Sequence, residues 1–157
     1  MNDSSANPFD LTITRIIHAP RQRVWGAWAD PSTFEKWWIP APLTCKAREM
    51  ELRPGGSFRT EMSEDGVSFE PHITGCFLAV EELERIVFTD ALVAGWRPAD
   101  SPFVTASFTF ADHAQGTLYT STAMHRNRAD RDKHEQLGFH DGWGTVINQL
   151  AKLVETR

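Results

Sequence analysis

"FHDGWGTVINQLAKLV", residues 139–154, carries an apolar stripe. Trp143, Val146, Ile147, Leu150, Leu153 and Val154 recur at spacings that set them along one side of a 3.6-residue helix. The stripe predicts a long helix from about Asp130 to Glu155, its C-terminal half facing a core. Extended backwards it reaches His140, Phe139 and Gln136 and turns mixed. Gly138, Gly142 and Gly144 crowd that half, and each glycine in a helix interior costs up to about 1 kcal/mol against alanine. Close packing, or space left for a ligand, has to offset that cost.

The chain before this helix reads mostly as strands. "DLTITRIIH" (10–18) alternates, with Leu11, Ile13, Arg15 and Ile17 on one side. In "APRQRVWGAWAD" (19–30), Pro20 suits the first turn of a helix. Val24 and Trp28 share a face there, widened by Trp25 and Ala27. A second short helix runs to about Trp38, where Pro40 and Pro42 stop it. Two caps are open: Asp30 with Pro31 at the first helical position, or Ser32 with Glu35 completing a capping box. In "FEKWWIP" (34–40), Phe34 and Trp38 are four apart and share a face, which makes Trp38 a core or cavity-wall residue. Trp37 is rotated away by about 100°. It either covers the mouth of a cleft, packs on the proline-rich exit or meets a second subunit.

Strand-like runs then follow at 43–52, 57–62, 68–80, 85–92, 103–110 and 117–125, separated by turns such as Pro54-Gly55-Gly56 and Glu64-Asp65-Gly66. Phe58, Thr60 and Met62 share a face, as do Val104, Ala106, Phe108 and Phe110. Gly75 suggests a bulge or sharp bend. Residues 94–102 form a loop around Trp96. The last run has no readable parity. This order gives an α+β fold: one strand, two short helices, a run of antiparallel strands and a long helix. A bent sheet around a helix leaves a concave, mostly apolar space, the usual place for a small ligand.

Composition narrows the function. The 157 residues are 41% hydrophobic and 24% charged, with a net charge of −5. One domain over 10–157 is expected, behind a frayed tail at 1–9. The basic run Arg126, Arg128, Arg131 and Lys133 is interleaved with Asp130, Asp132 and Glu135, a solvated helix start rather than a nucleic-acid face. No apolar run approaches the roughly 20 residues of a membrane span, and the polar N-terminus has no signal-peptide core. Cys45 and Cys76 read as buried thiols in a reduced, cytoplasmic compartment.

The segments "APRQRVWGAWADPSTFEKWW", "EMELRPGGSF", "EDGVSFEPHITG", "ERIVFTDA" and "FHDGWGTVINQLAKLV", in that order from about residue 10 to 155, resemble the helix-grip, START/Bet v-like (SRPBCC) superfamily. Within it the chain is most similar to the bacterial branch related to the C-terminal domain of the heat-shock chaperone ATPase activator (AHSA-type). The resemblance implies a curved antiparallel sheet wrapped around the C-terminal helix, with a hydrophobic cavity between them. Its members include lipid carriers, hormone receptors, polyketide cyclases and chaperone activators, so it implies no single chemistry. Chaperone activation is the least expected, since that activator uses an additional N-terminal domain for which this chain has no length.

The expected function is binding of a hydrophobic small molecule, aromatic, lipid-like or polyketide-like. Trp38, Phe58, Met62, Phe88, Phe108, Phe139 and Trp143 would bury it, and His72 and His140 would orient its polar groups. An enzyme of the cyclase or hydrolase kind in the same cavity is the alternative, with His72, His140, Asp141, Glu61 and Asp90 as candidates. A third reading is an interaction module or homodimer using exposed aromatics, Trp96 first. No cofactor is expected, and no metal: His134 and Asp141 share a helix face, but two ligands do not make a site. No nucleophile elbow occurs, and neither cysteine has a basic neighbourhood.

Overall fold

A computed structural model describes residues 7–156. Among them, strand β1 (Asp10–Ile17) is followed by helices α1 (Arg21–Ala29) and α2 (Pro31–Phe34). Strands β2 (Thr44–Met50), β3 (Ser57–Ser63), β4 (Glu70–Glu81) and β5 (Arg85–Thr89) come next. The small pair β6 (Leu92–Val93) and β7 (Arg97–Pro98) interrupts them before β8 (Thr105–His113) and β9 (Gly116–Met124). Helices α3 (Arg128–Gln136) and α4 (Phe139–Glu155) close the chain. The main sheet has the order β1-β9-β8-β5-β4-β3-β2, antiparallel throughout, and it is curved. β1 and β2 are consecutive strands at opposite edges, so α1 and α2 carry the chain across the sheet. Residues 1–6 of the expected tail lie outside the described residues. At its end Asn7 Oδ1 accepts from Phe9 N at 2.8 Å, a turn that leads into β1.

Alternation explains the inner face. Val104, Ala106, Phe108 and Phe110 are all buried, as the sequence predicts. β9, whose parity was unreadable, turns Thr117, Tyr119, Ser121 and Ala123 inward. Its outward threonines meet those of β1: Thr122 with Thr12 and Thr120 with Thr14, each at 3.3 Å. Threonine and serine on both faces erased the hydrophobic contrast that marks a buried side.

Trp28 is the hub of the core. It is fully buried, and its ring lies 4.9–6.4 Å from those of Phe34, Trp37, Trp38, Phe58 and Phe108. Burying one such indole contributes about 4–6 kcal/mol of transfer free energy. Its Nε1 donates to Tyr119 Oη at 3.0 Å, which satisfies the one polar atom the ring brings inside.

Three local expectations are corrected. The second helix ends at Phe34, not Trp38; residues 35–39 are turns, and Glu35 is drawn off to accept from Ala47 N at 2.7 Å. Asp30 is the cap, with Pro31 at the first position, and its carboxylate accepts from the Ser32 and Thr33 hydroxyls. The long C-terminal helix is two helices. α3 ends at Gln136 with Leu137 as its C-cap, and Gly138 takes the left-handed conformation (φ 98°) before α4 begins. Gly75 marks no bulge. β4 bulges instead at His72 and Leu78, the residues skipped in its pairing with β3 and β5. At Gly75 the end of β5 comes close: a Cβ there would sit 2.1 Å from the Thr89 carbonyl oxygen.

Candidate functional site

α4 lies over the concave side of the sheet and is tied to the rest by polar contacts along its length. Arg15 bonds Asn148, Glu155 accepts from His18 N at 2.8 Å, and Arg23 donates to the Val154 carbonyl at 3.1 Å. Gln149 holds the 37–41 turn: its amide donates to the Trp37 and Ile39 carbonyls at 3.0 Å and accepts from Ala41 N at 2.8 Å. That staple lets both indoles of the turn point inward. Trp37 is 1% exposed and its Nε1 donates to Ala27 O at 3.0 Å, so an interface role for Trp37 is removed. Trp38 Nε1 is buried without a hydrogen-bond partner.

The C-terminal part of α4 packs on the sheet through Ile147, Leu150, Ala151 and Val154. Its N-terminal part does not close down, and a cavity of about 590 Å³ remains between sheet and helix, within the range of small-molecule sites. The floor is a row of rings on adjacent strands: Phe88 and Phe108 lie 5.9 Å apart at 17°, Phe108 and Tyr119 6.3 Å apart at 24°. Trp143 of α4 continues it, 6.0 Å from Phe108 at 14°. Beside Trp143, Gly142 lines the cavity, and a Cβ added to it would meet nothing within 4 Å. The helical glycine therefore leaves room in the cavity.

Seven of the nine expected lining residues are brought together here: Trp38, Met62, His72, Phe88, Phe108, Phe139 and Trp143. Phe58 stands elsewhere. It is fully buried behind Trp38 and stacks on Phe77 at 4.7 Å. His140 is also placed away from the cavity, with a side chain 55% exposed and 3.8 Å from Glu135. The break at Gly138 restarts the helix with Phe139 inward, and the next residue is turned about 100° from it. Asp141 is exposed, and Glu61 pairs with Arg48 at 2.7 Å outside the cavity.

His72 reaches the cavity because the bulge breaks the alternation of β4, so that His72 and Ile73 both line it. Its Nδ1 lies 3.1 Å from Thr60 Oγ1. Desolvation in the concavity lowers the imidazole pKa, although the residue keeps an exposed side. Asp90, just past β5, accepts from Phe103 N and Val104 N at 2.7 and 2.9 Å, which fastens the base of the 91–102 excursion. Trp96, 49% exposed, lies over Gly55 in the β2–β3 turn. Cys45 and Cys76 are free and buried; burial, with Glu35 adding, pushes the Cys45 thiol up to about 12.

The sequence reading missed His134 as a cavity residue. It comes inward from the last turn of α3, next to the exposed Leu137. The run Lys133-His134 followed by Gly138 has the form of a helix C-terminus, and reading it so would have separated α3 from α4. Arg126 and Arg131 of the basic run are paired with Asp130, Asp132 and Glu135. Among the described residues, no group of three or more His, Cys, Asp or Glu is placed to hold a metal ion, and no helix is long and apolar enough to cross a membrane.

Comparison with known proteins gives the same architecture. A crystal structure of a protein from Nitrosomonas europaea is 38% identical, with a TM-score of 0.88 over 95% of this chain and 96% of that one. One from Mycobacterium smegmatis is 28% identical (TM-score 0.77, 94% and 91% covered), and one from Chromobacterium violaceum 26% (0.74, 93% and 97%). No curated protein matches the chain. The family model described as activator of Hsp90 ATPase homolog 1-like protein matches residues 18–155. With that match spanning nearly the whole helix-grip fold, the chain belongs to the activator of Hsp90 ATPase homolog 1-like family.

Proposed function

We propose that this protein binds a hydrophobic, ring-bearing small molecule in the cavity between the sheet and α4. The observation that carries the reading is the row of near-parallel rings facing a helix whose glycine leaves the space above them open. A chain selected for stability alone gains by an alanine at Gly142 and by larger side chains in the void. The two free, buried thiols accord with a reduced compartment such as the cytoplasm.

The test is a thermal-shift and native mass-spectrometry screen with aromatic, polyketide-like and fatty compounds. A ligand at a hundred times its dissociation constant stabilises the fold by about 2.7 kcal/mol, an easily read shift. Saturable shifts with flat aromatics are expected. A panel in which no compound shifts the transition or survives as a complex would sink the reading.

Turnover of the bound molecule is the second reading, and His72 favours it. A neutral imidazole beside Thr60 at the cavity is a fitting general base. If a substrate is found, His72→Ala should abolish its turnover; full retention would exclude that role.

A further inference from the structure

His134, in the wall of the cavity, is paired with a second histidine behind it. His134 Nδ1 lies 2.8 Å from Nε2 of His125, in the turn after β9. His125 Nδ1 lies 2.8 Å from the carbonyl oxygen of Phe9. A carbonyl oxygen only accepts, so His125 Nδ1 holds a hydrogen and donates it. In the neutral ring Nε2 is then an acceptor, and His134 must donate to it from Nδ1. His134 is left with a bare lone pair on Nε2. With both rings neutral, one backbone carbonyl outside the cavity sets the tautomer of both.

The pair is held rigidly. His125 is 8% exposed, and its own backbone N–H also donates to Phe9 O, at 3.2 Å. The His134 ring packs against Phe103, Phe139 and Trp143, at centroid distances of 5.1, 5.3 and 5.7 Å. Two of these, Phe139 and Trp143, belong to the helix wall that frames the void. Burial lowers the His134 pKa, to about 4 where a proton on His125 adds its repulsion, so the ring is neutral at pH 7. Among the described residues no hydrogen bond engages His134 Nε2.

We propose that Nε2 of His134 is the polar anchor of the cavity and that the molecule it receives is a flat aromatic bearing a hydroxyl, a phenol, which donates its hydrogen to that nitrogen. His125 is a positioning residue: it touches no ligand and acts by holding His134 in the accepting tautomer. The inference rests on the cavity-binding reading above and adds the ligand's polar group to it. An aromatic that only accepts hydrogen bonds gains nothing from this nitrogen.

The test compares 2-naphthol, naphthalene and 2-methoxynaphthalene by calorimetric titration at neutral pH. They share a ring system and differ in whether they donate a hydrogen bond. 2-Naphthol should bind about tenfold more tightly than either of the others, the effect of one well-placed hydrogen bond in a desolvated site. In His134→Phe, which keeps a flat ring, the preference for 2-naphthol over naphthalene should fall to about one. In His125→Ala, which frees the His134 tautomer, it should shrink.

Independently of any ligand, a long-range ¹H–¹⁵N spectrum of the free protein should show both rings protonated at Nδ1. Equal affinities for the three compounds, or a His134 protonated at Nε2, overturns the inference. Naphthalene binding without preference overturns it alone and leaves the cavity reading standing. If none of the three binds, the inference falls, and the cavity reading is decided by the wider panel.

Discussion

Gly142→Ala is expected to make the protein more stable and a worse binder. Gly142 lies inside α4 and lines the cavity, and a Cβ there would meet nothing within 4 Å. The substitution therefore adds helix propensity, up to about 1 kcal/mol, without a clash to offset it. For a domain of this size the melting temperature should rise by about 2–4 °C, read by calorimetry or circular dichroism on the free protein. Gly142 lines the cavity, so a methyl group added there should narrow it and affinity for a flat aromatic should fall. Gly142→Leu, which fills more of that space, should weaken binding further. A lower melting temperature in Gly142→Ala would mean that the space beside the helix is not empty in the free protein. An aromatic ligand bound equally well by Gly142→Leu would mean that the ligand does not sit under α4. Either result refutes the idea that this glycine is kept for the ligand at a cost in stability.

Three further outcomes follow from the same contacts. Tyr119→Phe removes the acceptor of Trp28 Nε1 and leaves a buried indole N–H unpaired, so unfolding in urea should show a loss of about 1–3 kcal/mol. His72 and His134 are both held below the ordinary imidazole value of 6.5, His134 at about 4. The unfolded chain thus binds more protons between these values, and stability should fall as pH drops from 6.5 towards 4. Urea midpoints at pH 7 and 4.5 measure this, and the drop should be smaller in His134→Phe; a midpoint that rises on acidification contradicts the assignment. Cys45, with its thiol near 12, and the buried Cys76 should not react with Ellman's reagent in the native state at pH 8, and both should react in denaturant.

Much of the architecture was legible because apolar side chains kept period. Ala106, Phe108 and Phe110, with Val104 just before them, declare the inner face of β8, and Ile147, Leu150 and Val154 declare that of α4. Trp38 was placed by its four-residue spacing from Phe34, and the two rings do stack, at 4.8 Å. Trp37 was misread because a helical angle was assumed where the chain turns. Once α2 stops at Phe34 and Gln149 fastens the turn, neighbouring indoles need not diverge.

His140 was drawn inward by running one helix through residue 138, where a left-handed glycine resets the phase. The bulge at His72 is a matter of pairing between two strands, and no property of the single strand announces it. The His125–His134 contact joins a turn after β9 to the end of α3, and neither segment alone marks it. Period makes the walls of the cavity readable; its polar points depend on breaks in period.

The central claim is that the space under α4 receives a flat aromatic molecule. It is tested most directly by titrating the ¹⁵N-labelled protein with 2-naphthol and following indole and amide resonances. Saturable shifts should centre on the Trp38 and Trp143 indoles and the amides of Phe139, Gly142 and Phe108, with Trp96 unmoved. Shifts confined to Trp96 and the β6–β7 excursion, or no saturable shift at all, would contradict it.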